Sequence, residues 1–182
     1  MKEFPVRQSS YIFEKEWIHI RSDVIENEKG ETRDYLVIEI KPVTSVLGID
    51  SENYLILQKE YRPTLRKTVI ETSCGGLNEN ENPADGAARE FQEETGYEIS
   101  RLEKVGVWNV LTGKCKVDLH MFIGRVKSDK AGKQKLDSFE IIRPVRVPAK
   151  EAVSMILKGE ITKAEHIALI LLTKEKHPEW FV

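Results

Sequence analysis

The spacing of apolar and polar positions changes period several times along the chain, and each change marks an element. Over residues 16–41 the stretches EWIHIRSDV and RDYLVIEIK flank a polar ENEKGET segment centred on Gly30. With Tyr35 and Val37 among its apolar positions, this segment predicts a β-hairpin. Pro42 interrupts the pattern. Residues 43–49 and 54–61 then predict the first strands of a main sheet, joined by GIDSEN, and KTVIE at 67–71 predicts a further strand running into glycines. Asn82-Pro83 reads as a helix start, because an Asn side chain accepts an orphan N–H and Pro suits the first helical position. Asp85 in the first turn suits the helix dipole, and Gly96 reads as the stop, so the predicted helix covers 83–95. Strands follow at 105–110 and 117–126, then a Lys-rich polar loop, KSDKAGKQKLDS, and renewed β character at 139–147. Helices are predicted at 148–158, closed by Gly159, and at 163–176, ahead of Pro178.

Strands on both sides of a helix, followed by a helical end, predict an α/β fold, a mixed-sheet sandwich of the α/β/α kind. The N-terminal hairpin reads as a small antiparallel sheet of its own, which divides the chain into an N-terminal β segment, 1–42, and a main domain, 43–182. No internal repeat or disordered linker interrupts either part.

Composition narrows the class. With 182 residues, 40% apolar and 32% charged, the chain suits one soluble globular domain with a small appendage. A net charge of −2 supplies no basic field, so neither nucleic acid nor an acidic membrane is an expected partner. The start, MKEFPVRQSS, has no apolar signal region, and the longest apolar run, 167–172, is too short to span a bilayer. A cytoplasmic location is expected. Cys74 and Cys115 form no CxxC pair, and buried free thiols are the expectation for both.

The helix at 83–95 carries the candidate chemistry. Ala84, Ala87, Ala88, Phe91 and Thr95 share one side, small enough to approach a sheet, while Glu90, Glu93 and Glu94 share another. Carboxylates at i, i+3 and i+4 repel by roughly 0.2–0.5 kcal/mol per pair, and near a helix C-terminus the dipole disfavours each by about 0.3–1 kcal/mol. Arg89 can relieve Glu93 at i+4 but cannot neutralise three. A divalent cation against the face would stabilise it, since hard cations take oxygen ligands. The competing reading is a solvated acidic face.

Spacing decides between the two. Gly75, five residues, Glu81, seven residues, then Arg89-Glu90-Phe91-Gln92-Glu93-Glu94-Thr95-Gly96-Tyr97 resembles the full signature of the Nudix hydrolases, with every fixed position filled. LILQKEYRP at 55–63, the strand ending at Glu71 and GEITKAEHIALILL at 159–172 resemble the ADP-ribose pyrophosphatases and related nucleoside-diphosphate-sugar hydrolases. That resemblance implies the Nudix fold and metal-dependent hydrolysis of a pyrophosphate bond, giving a nucleoside monophosphate and a sugar phosphate from a small nucleoside-diphosphate substrate. It also implies Mg²⁺ or Mn²⁺ as cofactor and a homodimer formed through the N-terminal sheet. Within the fold, hydrolysis of a dinucleotide or another nucleoside diphosphate-X is the alternative activity, and a non-catalytic ligand-sensing Nudix module is the alternative of a different class.

The same resemblance implies roles. Glu90 and Glu94 would be direct metal ligands, Glu93 would bind or support a further ion, and the main-chain carbonyl of Cys74 would add a ligand. Arg89 would orient a glutamate, because its fork pairs bidentately with carboxylates; Glu81 would be a structural partner. Glu140 is the candidate general base in a loop otherwise basic, with Asp137 the other carboxylate there. Arg62 would contact a substrate phosphate or else form a surface ion pair. Trp17, Arg33 and Trp108 are candidate nucleobase contacts, with core burial or an ion pair as the alternative. The histidines show no metal-ligand spacing, and His120 is expected to be structural. Alone, Gly75-Gly76 would mean a tight turn, and no GxGxxG accompanies it. Two departures stand out: Thr72-Ser73-Cys74-Gly75 where the subgroup usually has Leu-Pro-Ala-Gly, and Glu60-Tyr61-Arg62 where it has Gln-x-Arg. Both are expected to adjoin the substrate pocket and to leave the metal-binding glutamates untouched.

Overall fold

In the computed structural model, which describes residues 3–182, the N-terminal stretch forms three antiparallel strands, β1 (Val6–Lys15), β2 (Ile18–Glu26) and β3 (Thr32–Ile40). The predicted hairpin is β2 with β3, in unbroken register from Ile18 opposite Ile40 to Glu26 opposite Thr32. Asn27 shapes its turn by accepting the backbone N–H groups of Lys29 and Glu31 through Oδ1 at 2.9 and 3.0 Å. The strand β1 was not legible as a strand. Its apolar residues do not alternate with its polar ones, and its register with β2 shifts twice. Two residues, β9 (Cys115–Lys116), pair in parallel with β3. The described residues through Pro42, together with Trp108–Leu119, make up this first compact unit.

The second unit comprises Val43–Val107 and His120–Val182. Its strands are β4 (Val43–Ile49), β5 (Tyr54–Arg62), β6 (Lys67–Glu71), β7 (Ser73–Gly76), β11 (Ile142–Pro148) and all but the last two residues of β8 (Ile99–Asn109) and the first two of β10 (Asp118–Val126). They form one sheet in the order β11-β5-β4-β10-β8, with β6 on β5 and β7 on β4. Its helices are α1 (Pro83–Thr95), α2 (Ala149–Leu157) and α3 (Ala164–Lys176), and a 3-10 turn, Pro178–Phe181, follows. Three differences from the sequence reading have local causes. The glycine pair, read as a turn, lies in β7, where Gly76 pairs with Val43 and Gly75 with Thr44. Strand β8 starts at Ile99 rather than 105, beyond a positive-φ Arg101 that breaks the alternation. Strand β11 starts at Ile142 rather than 139, because Glu140 N–H closes a turn on Asp137 and leaves Phe139 exposed.

Residues 44–49 of β4 are buried on both faces, as expected of a strand between two helical layers. On one face α1 docks through Ala87 and Phe91, which pack with Val46, Ile56, Ile99 and Phe122, flanked by Ala84 and Ala88. This is the small-residue side predicted for that helix. The ring of Phe91 lies so close to Gly48 that a Cβ there would stand 2.3 Å from it, so only glycine lets the helix approach this far. On the other face α3 meets β4, and Leu169 and Ile170 are fully buried. Both cysteines are free, and both are half-buried rather than enclosed as expected. No helix among the described residues is long and apolar enough to cross a membrane.

Phe91 is wholly inaccessible to solvent, so replacing it with Ala is expected to cost about 3–5 kcal/mol. Urea denaturation checks this; a loss below about 1 kcal/mol would contradict the docking of α1 described here.

Candidate active site

The acidic helix is built as its caps foretell. Asn82 Oδ1 accepts Ala84 N–H at 2.9 Å, and Gly96, at φ 76°, donates its N–H to Gln92 O at 2.9 Å. At that C-terminal end stand Glu90, Glu93 and Glu94. All five N–H donors of Arg89 are used, on Glu81, Glu90, Glu93 and Gly76, and none on Glu94. Nε and Nη2 donate to the two oxygens of Glu81 at 2.8 Å each, and Nη1 donates to Glu90 at 2.7 Å and Glu93 at 3.0 Å. Nη2 also reaches Gly76 O at 3.1 Å, which ties the helix to β7. Arg89 therefore engages more than the one glutamate allowed for from spacing, yet a single cation still faces three carboxylates.

Each glutamate has its own environment. Glu81 also accepts Asn78 N–H at 2.9 Å, and the hydrogen bonds from Arg89 draw its carboxyl down to about 2. Glu90 lies against Gly75, where a Cβ would stand 2.2 Å from its carboxyl carbon, so this glycine is required by close approach. Burial raises the Glu90 carboxyl, Arg89 opposes the rise, and Glu93 and Glu140 add to it. Glu94 is 4% exposed and accepts the Ser73 hydroxyl at 2.5 Å and Cys74 N–H at 3.1 Å. Burial lifts its carboxyl to about 7 against those two donors, with Glu90 adding to the rise. The Ser73 contact corrects the expectation that the departure at 72–75 leaves the metal-binding glutamates untouched: the residue before Cys74 carries a hydroxyl that Pro could not supply, and it is spent on Glu94.

The Lys-rich loop has a role that its composition hid. Lys135 N–H donates to Glu93 O at 2.8 Å, the Gln134 amide to Glu94 O at 2.5 Å, and Gly132 N–H to Gly96 O at 2.7 Å. Helix ends leave such carbonyls without intrahelical partners, and cations favour that end of the dipole. The loop thus completes the C-terminus of α1. Glu140, at its far end, accepts Asp137 N–H at 2.9 Å and lies close enough to raise the Glu90 carboxyl.

Arg62 is paired rather than free. Its Nη1 lies 2.8 Å from Glu60 Oε1, and its Nε lies 2.7 Å from Glu71 Oε1. Glu60, the second departure, is buried, and burial pushes its carboxyl up against the pull of Arg62. The structure thus brings Glu90, Glu93, Glu94, Arg89, Cys74 and, by charge, Glu140 to one corner. Arg62, at the end of β5, lies in a cluster with Glu60 and Glu71 that the sequence did not reveal. Trp17, Arg33 and Trp108 belong to the first unit, where Lys41 Nζ lies 4.8 Å from the Trp17 ring centre and Arg33 lies over Tyr35.

The corner suits a hard cation. Its carboxylate oxygens are hard donors, and burial penalises the charge on Glu90 and Glu94, a penalty that a cation would offset. Among the described residues no three His, Cys, Asp or Glu side chains are grouped so as to hold a metal ion by themselves. An ion at this corner would be held by one or two of the carboxylates.

Comparison with known proteins agrees. The NUDIX domain pattern matches residues 40–170. The chain belongs to the Nudix family, as a hydrolase of phosphoanhydride bonds. An ADP-ribose pyrophosphatase of Bacillus subtilis is 26% identical over 154 residues, covering 85% of this chain and 83% of that protein. A methanol dehydrogenase activator of Bacillus methanolicus is 24% identical over 163 residues, covering 90% and 88%. A GDP-mannose pyrophosphatase of Yersinia enterocolitica is 30% identical over 103 residues, covering 56% and 53%. Among solved structures, an ADP compounds hydrolase matches with a TM-score of 0.83 at 16% identity, over 100% of this chain and 98% of that one. This likeness shows the Nudix fold.

Replacing Glu81 by Gln is expected to cost about 1–3 kcal/mol at neutral pH, the worth of hydrogen bonds to a charged group. Because the folded-state value near 2 lies below the ordinary 4.5, this stabilisation is present above about pH 4.5 and fades as pH falls toward 2. Urea midpoints of both proteins at about pH 7 and about pH 3 check it, the gap narrowing in acid.

Proposed function

We propose that the chain is a Mg²⁺- or Mn²⁺-dependent Nudix pyrophosphatase that cleaves ADP-ribose or a related nucleoside-diphosphate sugar to a nucleoside monophosphate and a sugar phosphate. The observation that carries this reading is the corner where Glu90, Glu93 and Glu94 meet β7 at Cys74, with Arg62 one strand away. Relatives whose names specify ADP-ribose and GDP-mannose pyrophosphatases support the substrate class.

Glu90 and Glu94 would hold the ion, with the Cys74 carbonyl completing the protein's share and Glu93 supporting a further ion. When bound, the ion neutralises diphosphate charge and lowers the pKa of a coordinated water. The protein's own part is positioning, as phosphoryl transfer demands. Arg89 fixes Glu90 and Glu93 through Nη1, while Glu81 fixes Arg89. Arg62 would share its guanidinium between Glu71 and a substrate phosphate. Glu140 would accept the proton of the attacking water as its oxygen bonds to phosphorus and the bridging P–O bond breaks.

The N-terminal sheet supports a homodimer. Every residue of β1 is exposed, and Ile12, Tyr11, Phe13, Trp17 and Leu36 stand among the exposed large apolar side chains. A long exposed strand of this composition invites pairing, and a second copy is the partner that would cover it. Two free thiols suit a reducing, cytoplasmic setting.

A panel of nucleoside-diphosphate sugars and dinucleotides, assayed with each metal and a coupled phosphatase, is expected to show turnover highest for the sugars. Glu94→Gln should lower kcat by orders of magnitude with the fold intact. Glu140→Gln should lower kcat more than metal affinity, and a purely metal-binding defect would remove it as the base. Light scattering should give a dimer mass that Ile12→Asp shifts toward the monomer; a monomeric wild type would refute the pairing.

A further inference from the structure

Beside the corner lies a cavity of about 370 Å³ between the turn after β5 and the start of α3. Arg62, Glu71, Thr162 and Lys163 supply its polar lining, and Leu65 and Val69 its apolar wall. Its polar groups are incompletely used. Glu71 is 1% exposed, and only its Oε1 is satisfied, by Arg62; its Oε2 is buried and accepts no hydrogen bond. Two basic groups are nearest. Lys163 Nζ is 3.6 Å away, beyond direct hydrogen-bond distance, and His166 Nδ1, at 3.9 Å, already accepts Thr72 N–H and has no proton to offer. Lys163 reaches its other carboxylate, Glu165, only at 3.6 Å. It is also the N-cap residue of α3, where no side chain caps the first amides.

A buried acceptor without a hydrogen-bond donor, beside a lysine that two carboxylates hold only at 3.6 Å and that therefore has hydrogen bonds left to give, suits a ligand carrying both hydroxyl and anion. We propose that this cavity seats the sugar-phosphate half of the substrate, with a sugar hydroxyl donating to Glu71 Oε2 and the phosphate facing Lys163, Arg62 and the first amides of α3. No aromatic ring lines the cavity for a base to stack on, while Leu65 and Val69 offer a wall for a sugar's C–H face. The seat connects directly to the corner. Glu71 lies three residues ahead of Cys74 in the chain, and Cys74 donates its N–H to Glu94. Lys163 is thereby a specificity residue for the group that departs as a sugar phosphate.

This inference rests on the sugar-nucleotide reading above, and direct binding separates the two. Isothermal titration of the full chain with ribose 5-phosphate and, separately, AMP is run for wild type and Lys163→Ala. The expected result is that the variant loses at least tenfold in affinity for ribose 5-phosphate and keeps its affinity for AMP, with KM for ADP-ribose rising more than kcat falls. Lys163→Arg, which keeps the charge, should recover part of the loss. Equal ribose 5-phosphate affinity in wild type and Lys163→Ala, parallel loss of both ligands, or no binding of ribose 5-phosphate by wild type would overturn the seat. Wild-type binding without turnover of any sugar nucleotide would instead sink the catalytic reading and leave the seat standing.

Discussion

The guanidinium of Arg89 makes five hydrogen bonds, to Glu81, Glu90, Glu93 and the carbonyl of Gly76. Three separate pieces of chain, the loop ahead of the helix, the helix itself and β7, are thereby referred to one planar group. Its rigid fork matters as much as its charge, because a lysine at this position could not hold Glu81 bidentately while reaching two further carboxylates. The glutamates at the end of α1 would otherwise repel one another and oppose the dipole. With Arg89 in place, two of them are fixed in direction and only part of their charge is offset. That residual charge is what makes the corner fit for a cation.

The opposite end of the problem is the helix C-terminus. Acidic side chains there are unfavourable, and the terminal carbonyls need donors. The second need is met by the loop at 132–135, which gives N–H groups from Gly132, Gln134 and Lys135 to the exposed carbonyls. A loop basic in composition is therefore consistent with an acidic site. Its N–H groups complete the helix, and its carboxylate Glu140 stands at the end that returns to the sheet.

What could be read in the sequence was what local rules encode. The ends of α1 were legible because Asn82-Pro83 and Gly96 each carry a conformational preference strong enough to act alone. The core side of the helix was legible because Ala84, Ala87, Ala88 and Phe91 fall at helical spacing. Strand β1 lacked that periodicity, since nothing is buried on either of its faces, and a strand with no buried face leaves no alternating record. The pairing of Arg62 with Glu60 and Glu71 was hidden for a different reason. It depends on β5 and β6 lying antiparallel with Gln58 opposite Glu71 and Arg62 opposite Lys67, a register that only the folded sheet defines.

The positions where the chain departs from the pattern it resembles turn out to be neighbours. Glu60 pairs with Arg62, Thr72 donates to His166, Ser73 donates to Glu94, and Cys74 lies among Lys163, Arg62 and Glu71. Isolated substitutions in a buried polar cluster are costly, because removing one partner strands the other. Substitutions that land together can exchange partners instead. The cluster is therefore best understood as one re-fitted unit, and its two ends differ in what they allow. Toward α1, Ser73 and the amide of Cys74 add donors to Glu94 and constrain it. Toward α3, Glu71 Oε2 is left without a hydrogen bond, with Lys163 Nζ 3.6 Å away. The cluster is thus tightened at the end that meets α1 and left open at the end that meets the cavity, so a change in polar partners is easier to accommodate at the second end than at the first.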